Sequence, residues 1–292
     1  MSDESQPPII TAQSPADDVD EYMLTIDREV RLARVLNRRV VATWWLLGVN
    51  VAIWVAAFLW GNGMGIQTPY FNNEQLVLFT GMKVNELLAA GQWWRLISSQ
   101  FVHLDIMHIA FNGYGLYVLG PMIERFYGWR RFLLLYLTAG TAGAIASFVF
   151  TEMPSGGASG AIYGLVGALL VFGLKYRKQL PERVAKAFTV GMLPWVVLSL
   201  GIGFLESLPM DNAAHLGGLA AGGVMVFALR SKLRRRSRIV GGWVVSLAAA
   251  FAIGVLVWTA AHWSEELWEC AGDRQAYFQC YPQLEEQLQA GE

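Results

Sequence analysis

The 292-residue chain is 54% hydrophobic and only 15% charged, with 12 Trp and 30 Gly. Soluble globular domains carry about a quarter of their residues as charges, so this composition excludes that class. Apolar runs near the ~20 residues that cross a bilayer core occupy 41–60, 104–122, 132–151, 158–174, 187–205, 213–229 and 240–261, which predicts seven transmembrane helices; no run alternates as a barrel strand does.

Residues 1–40 read as a polar tail, with no signal peptide expected. Its acidic start, Met1 to Asp20, reads as disordered, and Tyr22 to Arg39 reads as a surface helix with Met23, Ile26, Val30 and Leu32 as apolar contacts. The first span carries Trp44, Trp45 and Trp60 at its ends, as interfacial belts do. Residues 61–101 are too polar and too broken by Gly and Pro to span. Tyr70, Phe71, Phe79, Trp93 and Trp94 predict short helices there, lying in the outer interface.

The second span brings His103, His108 and Asn112. His108 and Asn112 stand one turn apart on one helix face. Such groups either glue helices by hydrogen bonding or serve chemistry, and an intramembrane His faces the bundle interior. Glu124 and Arg125, at the end of this span, read as an ion pair that caps the helix or pins a loop. The third span has no ionisable group and reads as scaffold. The fourth opens on Gly156-Gly157-Ala158-Ser159-Gly160, with a serine at the mouth of a helix, and continues through Tyr163. The fifth, with Pro194 and Trp195, shows no reactive group and a proline kink is expected in it.

The sixth span carries His215 in its first turn, followed by Gly218 and Gly222. That spacing matches Gly160 and Gly164 in the fourth span, and small residues four apart let helix backbones approach closely. A tight crossing of the two helices would bring Ser159 and His215 within reach. The seventh span reads as an addition to a six-span core, with His262 at its outer end and Cys270 and Cys280 in the tail beyond. An extracytoplasmic location permits a disulfide there, but spacing leaves the pairing open.

All but three of the 22 Lys and Arg (the exceptions being Lys83, Arg95 and Arg274) fall before the first span or in the loops after the second, fourth and sixth. The positive-inside bias therefore puts the N-terminus in the cytoplasm and the C-terminus outside. These basic loops are topology determinants, not nucleic-acid sites. The expected organisation is a cytoplasmic tail at 1–40, a six-span core at 41–230, a basic loop with the seventh helix at 231–261, and an outer tail at 262–292.

Spans two, four and six all run from outside to inside. His108 and Asn112, Ser159, and His215 thus share one membrane depth. A serine hydroxyl needs a base to take its proton, and imidazole is the usual one near neutral pH. The Ser159 amide at a helix N-terminus, with His108 and Asn112, supplies donors for a tetrahedral oxyanion. No carboxylate in these spans is placed to orient His215, which predicts a Ser-His dyad with Tyr163 stacking on the imidazole. The chain lacks the Gly-x-Ser-x-Gly elbow and any His-Glu-x-x-His. A metal held by His103, His108 and His215 stays as an alternative.

Taken together, Trp94-Arg95, His103 with His108 and Asn112, Glu124-Arg125, Gly157-Ala158-Ser159-Gly160, Tyr163, and Ala214-His215 followed by Gly218 and Gly222 resemble the rhomboid family of intramembrane serine proteases. The resemblance covers about residues 41–230. It implies an all-α rhomboid-like bundle in a six-plus-one arrangement, with Ser159 as nucleophile and His215 as base. His108, Asn112 and the Ser159 amide would form the oxyanion hole, with His103, Gly157, Tyr163, Gly218 and Gly222 in support. It also implies cleavage of single-span membrane proteins near their outer end, without a cofactor, in a lipid bilayer that a bacterial inner membrane would provide. Family members open laterally at the fifth helix and carry a loop over the site, here about Glu206 to Asn212. A catalytically silent rhomboid-like protein that binds client helices is the rival reading, and a metal-dependent hydrolase the second.

Overall fold

The computed structural model describes residues 15–63, 81–204, 210–229 and 231, and over these the chain is helical apart from one antiparallel bridge. The expected seventh span, His262, the tail with Cys270 and Cys280, the basic residues after Ser231, and most of the 206–212 loop lie outside the described residues. So do residues 1–14 and the stretch 64–80. The helices follow in order as α1 (Pro15–Leu36), α2 (Ala42–Gly63), α3 (Asn85–Ala89), α4 (Arg95–Ser98), α5 (Ile106–Tyr127), α6 (Trp129–Phe150), α7 (Ser159–Lys175), α8 (Glu182–Phe188), α9 (Leu193–Ile202) and α10 (Asn212–Ala228). Short 3-10 turns at Ser99–Phe101 and Val190–Met192 precede α5 and α9.

Among the described residues, four stretches are long and apolar enough to cross a membrane: Ala42–Leu59, Ile106–Tyr127, Trp129–Phe150 and Glu182–Ile202. α7 and α10 are shorter, at 17 residues each. The second span runs five residues further than its apolar pattern suggested, to Tyr127, because Glu124 is buried within its last turns. Gly128 alone reverses the chain into α6, with φ 85°, a conformation that side chains rarely tolerate. The fifth stretch is broken. Pro194 lacks an N–H and its ring would clash with the carbonyl four residues earlier, and the chain passes through the 3-10 turn before α9 begins.

α7 is the central helix. Every residue from Gly160 to Leu169 is buried. Its neighbours reach it because side chains are missing at the contacts: a Cβ on Gly218 would collide with the Gly160 carbonyl, and one on Gly222 with the Gly164 carbonyl. On α6, a Cβ at Gly143 would lie 2.6 Å from the Ala214 oxygen of α10. Backbone contact this close gathers dispersion contacts along three helices at once. Outward-facing residues such as Phe111, Val149, Phe150, Leu198, Val224 and Phe227 are exposed, so a broad apolar surface surrounds this core.

At the end of α7 remote from Ser159, Phe126 packs on Phe172 at 4.6 Å and Tyr176 on Phe172 at 4.7 Å. Charges close this end by capping helices in trans. The expected Glu124–Arg125 ion pair is replaced by a different contact. The Glu124 carboxylate accepts from the amides of Val41, Ala42 and Thr43 and from the Thr43 hydroxyl, all at 2.8–2.9 Å. These are the orphan donors at the start of α2, and a negative charge there also meets the favourable end of the dipole. Arg125 instead donates to the Arg38 carbonyl at 3.5 Å. Lys175 complements this by donating to the Val226 carbonyl in the last turn of α10 at 2.7 Å.

α1 begins at Pro15 and packs through Leu32 and Val35 against this end of the bundle. Met23, Ile26 and Val30, expected as contacts, are exposed. They lie on the helix face opposite Leu32 and Val35, and Glu29 pairs with Arg183 at 2.8 Å.

The segment that delivers Ser159 is held before it starts α7. Lys83 and Ser155 exchange backbone bonds of 2.8 and 2.9 Å. The buried Lys83 ammonium donates to the carbonyls of Thr151 and Met153, at 3.0 and 2.9 Å. Arg95 is also buried, donating to the Met82 carbonyl at 2.9 Å and lying 4.7 Å over the Trp94 ring. Further along, the Gly157 amide donates to the Ser99 carbonyl at 2.8 Å and the Ala158 amide to Nε2 of His103 at 3.3 Å. His103 must therefore be neutral at that nitrogen.

Two outcomes are expected. Glu124→Gln keeps the shape but loses charge-assisted bonding, and should lower stability by about 1–3 kcal/mol, read as a lower thermal midpoint in detergent. An unchanged midpoint would contradict the capping role. Because a proton on Nε2 of His103 would remove the acceptor for the Ala158 amide, the stability contributed by this bond is lost on acidification. The midpoint should fall on acidification, and His103→Gln, with a non-titrating acceptor, should reduce that fall.

Candidate active site

α10 starts where Asp211 accepts from the Ala214 amide at 2.9 Å, an N-cap that fixes the first turn and the residue after it. That residue is His215, which is buried. The Gly160/Gly218 contact sets α7 beside it. As a result, Nε2 of His215 stands 2.9 Å from Oγ of Ser159, the first residue of α7. The other ring nitrogen, Nδ1, is buried and has no hydrogen-bond partner among the described residues. Tyr163, one turn along α7, lies parallel to the imidazole, with centroids 4.2 Å apart and planes 10° from coplanar. An imidazole held by a stacked ring, with no carboxylate on Nδ1, can still accept the serine proton through Nε2.

α5 begins by the same device. Asp105 accepts from the His108 amide at 2.8 Å. His108 and Asn112 then face the turn before Ser159. A Cβ on Gly157 would strike the His108 ring and approach Nδ2 of Asn112 to 3.3 Å. Gly157 is also at φ 112°, so both space and backbone demand glycine there. His103 meets His108 edge to face at 5.1 Å, behind the Gly157–Ala158 turn that it holds. Unlike α5 and α10, α7 has no side-chain cap. Its first internal bond runs from the Ile162 amide to the Ala158 carbonyl, so the amides of Ser159, Gly160 and Ala161 precede the helical ladder. A developing anion beside Ser159 would meet them together with His108 and Asn112.

The sequence reading passed over several residues that shape this site. Asp105 and Asp211 are caps, and an Asp three residues before the capped amide is a recognisable signal. Lys83 counted only as a basic residue on the outer side, and nothing in its local pattern marks it as a buried clamp. Ser199 of α9 accepts a hydrogen bond from the Tyr163 hydroxyl at 2.7 Å, although the fifth span appeared without reactive groups. Among the described residues no three His, Cys, Asp or Glu side chains group closely enough to hold a metal ion.

Residues 90–232 match the family model described as the rhomboid domain. The chain is 46% identical to rhomboid protease GluP of Bacillus subtilis over 151 residues, covering 52% of this chain and 29% of that one. It is 32% identical to RHOMBOID-like protein 9, chloroplastic, of Arabidopsis thaliana over 204 residues, covering 69% and 44%. It thus spans less than half the length of either relative. With rhomboid-like protease 2 of Toxoplasma gondii it shares 30% identity over 215 residues, 69% of this chain and 71% of the relative. The helical bundle, the motifs from Trp94 to Gly222 and these matches together mean that this integral membrane protein belongs to the rhomboid family.

Proposed function

We propose that the protein is an intramembrane serine endopeptidase that cleaves single-span membrane proteins near their outer end through a Ser159–His215 dyad. The observation that carries this reading is the 2.9 Å approach of His215 Nε2 to Ser159 Oγ at the glycine crossing of α7 and α10. Several relatives are named as rhomboid proteases, GluP among them.

In this mechanism Ser159 Oγ attacks the scissile carbonyl as His215 Nε2 takes its proton. Charge develops on the carbonyl oxygen, where the Ser159 amide, His108 and Asn112 donate to it. The tetrahedral intermediate collapses as His215 returns the proton to the leaving amine, and an acyl-enzyme remains on Ser159. A water molecule, deprotonated by His215, then releases the second product and restores the serine. Tyr163 keeps the imidazole in plane through these transfers. The uncapped start of α7 suits this chemistry, because its free amides are reserved for a charge that appears only during reaction.

The lengths of the helices support a recessed site. At 1.5 Å per residue α7 and α10 are about 25 Å long, against about 33 Å for α5 and α6. Gly143 of α6 packs against Ala214 and Gly160, seven residues before α6 ends at Phe150, which puts Ser159 and His215 roughly 10 Å below that end. The distribution of Lys and Arg supports reading this end as the outer one, with the N-terminus in the cytoplasm, as in a bacterial inner membrane. The substrate is then a transmembrane segment that presents an unwound stretch at that depth.

Purified protein with a fluorogenic single-span reporter in liposomes tests the reading. Ser159→Ala and His215→Ala should each abolish cleavage and labelling by a fluorophosphonate, an irreversible serine reagent, while a chelator leaves the wild type unaffected. Asn112→Ala should lower kcat by about 10–100-fold with a smaller change in KM. Full cleavage by Ser159→Ala would refute the dyad.

A further inference from the structure

The stacked Tyr163 is itself held by the fifth stretch of the bundle. Its hydroxyl lies 2.7 Å from Oγ of Ser199, and its ring packs against Trp195 at 5.5 Å. Trp195 and Ser199 are one turn apart and so share the face of α9 that meets Tyr163. The Ser199 hydroxyl lies 2.7 Å from the Trp195 carbonyl and 3.2 Å from that of Val196. A serine has a single proton to donate. With that proton directed to the Trp195 carbonyl, Oγ is left as an acceptor and Tyr163 must be the donor. The chain of bonds therefore has one direction, from Tyr163 through Ser199 to the backbone of α9.

Little else fastens α9. Val196 is its one buried residue among those described, whereas α6 buries nine. A second polar contact, from Asn212 Nδ2 to the Leu200 carbonyl at 3.2 Å, ties the end of α9 to the start of α10. Because Nδ1 of His215 has no hydrogen-bond partner among the described residues, the orientation of the imidazole depends on the ring stacked against it.

We propose that Ser199 is a positioning residue for His215: by fixing the Tyr163 hydroxyl on α9, it fixes the ring that aligns the imidazole with Ser159. The placement of α9 thereby sets how competent the Ser159–His215 pair is. This inference rests on the dyad reading given above. Loss of the bond leaves Tyr163 free to tilt, and a tilt of a ring in parallel contact at 4.2 Å displaces Nε2 from its approach to Oγ.

The test compares full-length wild type, Ser199→Ala, Ser199→Thr, Tyr163→Phe, the Ser199→Ala/Tyr163→Phe double variant and Ser159→Ala. Reporter cleavage gives kcat and KM, and the fluorophosphonate labelling rate reads the serine directly, with thermal midpoints as the folding control. Ser199→Ala and Tyr163→Phe should each lower kcat and the labelling rate roughly three- to tenfold, the worth of one neutral hydrogen bond. KM should stay within about twofold, because ground-state binding is untouched. The double variant should be no slower than the slower single variant, since both remove the same bond. Ser199→Thr keeps a hydroxyl that can bond back along the helix and should restore the wild-type rate. Wild-type labelling in Ser199→Ala, multiplicative losses in the double variant, or no rescue by Ser199→Thr would each overturn the positioning role. Persistent cleavage by Ser159→Ala would instead overturn the dyad, so the two failures are separable.

Discussion

Everything at the site depends on two helix backbones touching. Gly160 and Gly164 of α7 lie against Gly218 and Gly222 of α10 so closely that a single Cβ at either of the latter would strike a carbonyl oxygen. Ser159 and His215 stand at the adjoining ends of this contact, one residue before Gly160 and three before Gly218. Their 2.9 Å separation is therefore a consequence of helix packing. α6 supports the same seam, with Gly143 against Ala214 and with Ala142 and Ala146 against Gly217 of α10, so three helices share the constraint. Helix association in lipid draws on packing more than on the hydrophobic effect, which makes a glycine seam a natural place to anchor geometry that must not drift.

The bundle manages its helix ends selectively. Asp105 and Asp211 cap α5 and α10, one turn before the two histidines that face the serine. Glu124 and Lys175 cap α2 and α10 across the fold, at the end remote from Ser159. Buried charge is costly unless fully bonded, and Glu124 meets that condition with four donors. The start of α7 stands apart, with no side-chain cap. A helix N-terminus left open in this way retains amides for an anion, and here it lies beside a serine, an imidazole and a carboxamide.

A rigid centre is paired with a loosely held flank. α7 is buried along most of its length, whereas α9 touches the bundle through one face and is joined to it by the hydroxyls of Tyr163 and Ser199. The break before Pro194 disconnects α9 from α8, so that the two halves of the fifth stretch can differ in how tightly they pack. The tightly packed centre and the lightly held flank are thus different helices.

Much of this was legible in the sequence because membrane helices leave strong local signals. Apolar runs located the helices α2, α5, α6, α7, α9 and α10. The expectation that α5, α7 and α10 run the same way singled out His108, Asn112, Ser159 and His215 as one set, while paired glycines four apart indicated which helices would meet. What the sequence by itself could not decide were contacts between residues far apart in the chain whose local patterns are ordinary. Glu124 sits 82 residues from the Ala42 amide that it caps, Lys83 clamps carbonyls 68 and 70 residues away, and Ser199 meets Tyr163 across 36. A hydroxyl, a lysine or a carboxylate looks the same in sequence whether it faces solvent or a distant backbone. Periodicity reports which face of a helix is apolar, as it does for the glycine seam; only the packed structure decides which polar groups find each other, because their partners are mostly backbone atoms that every residue carries.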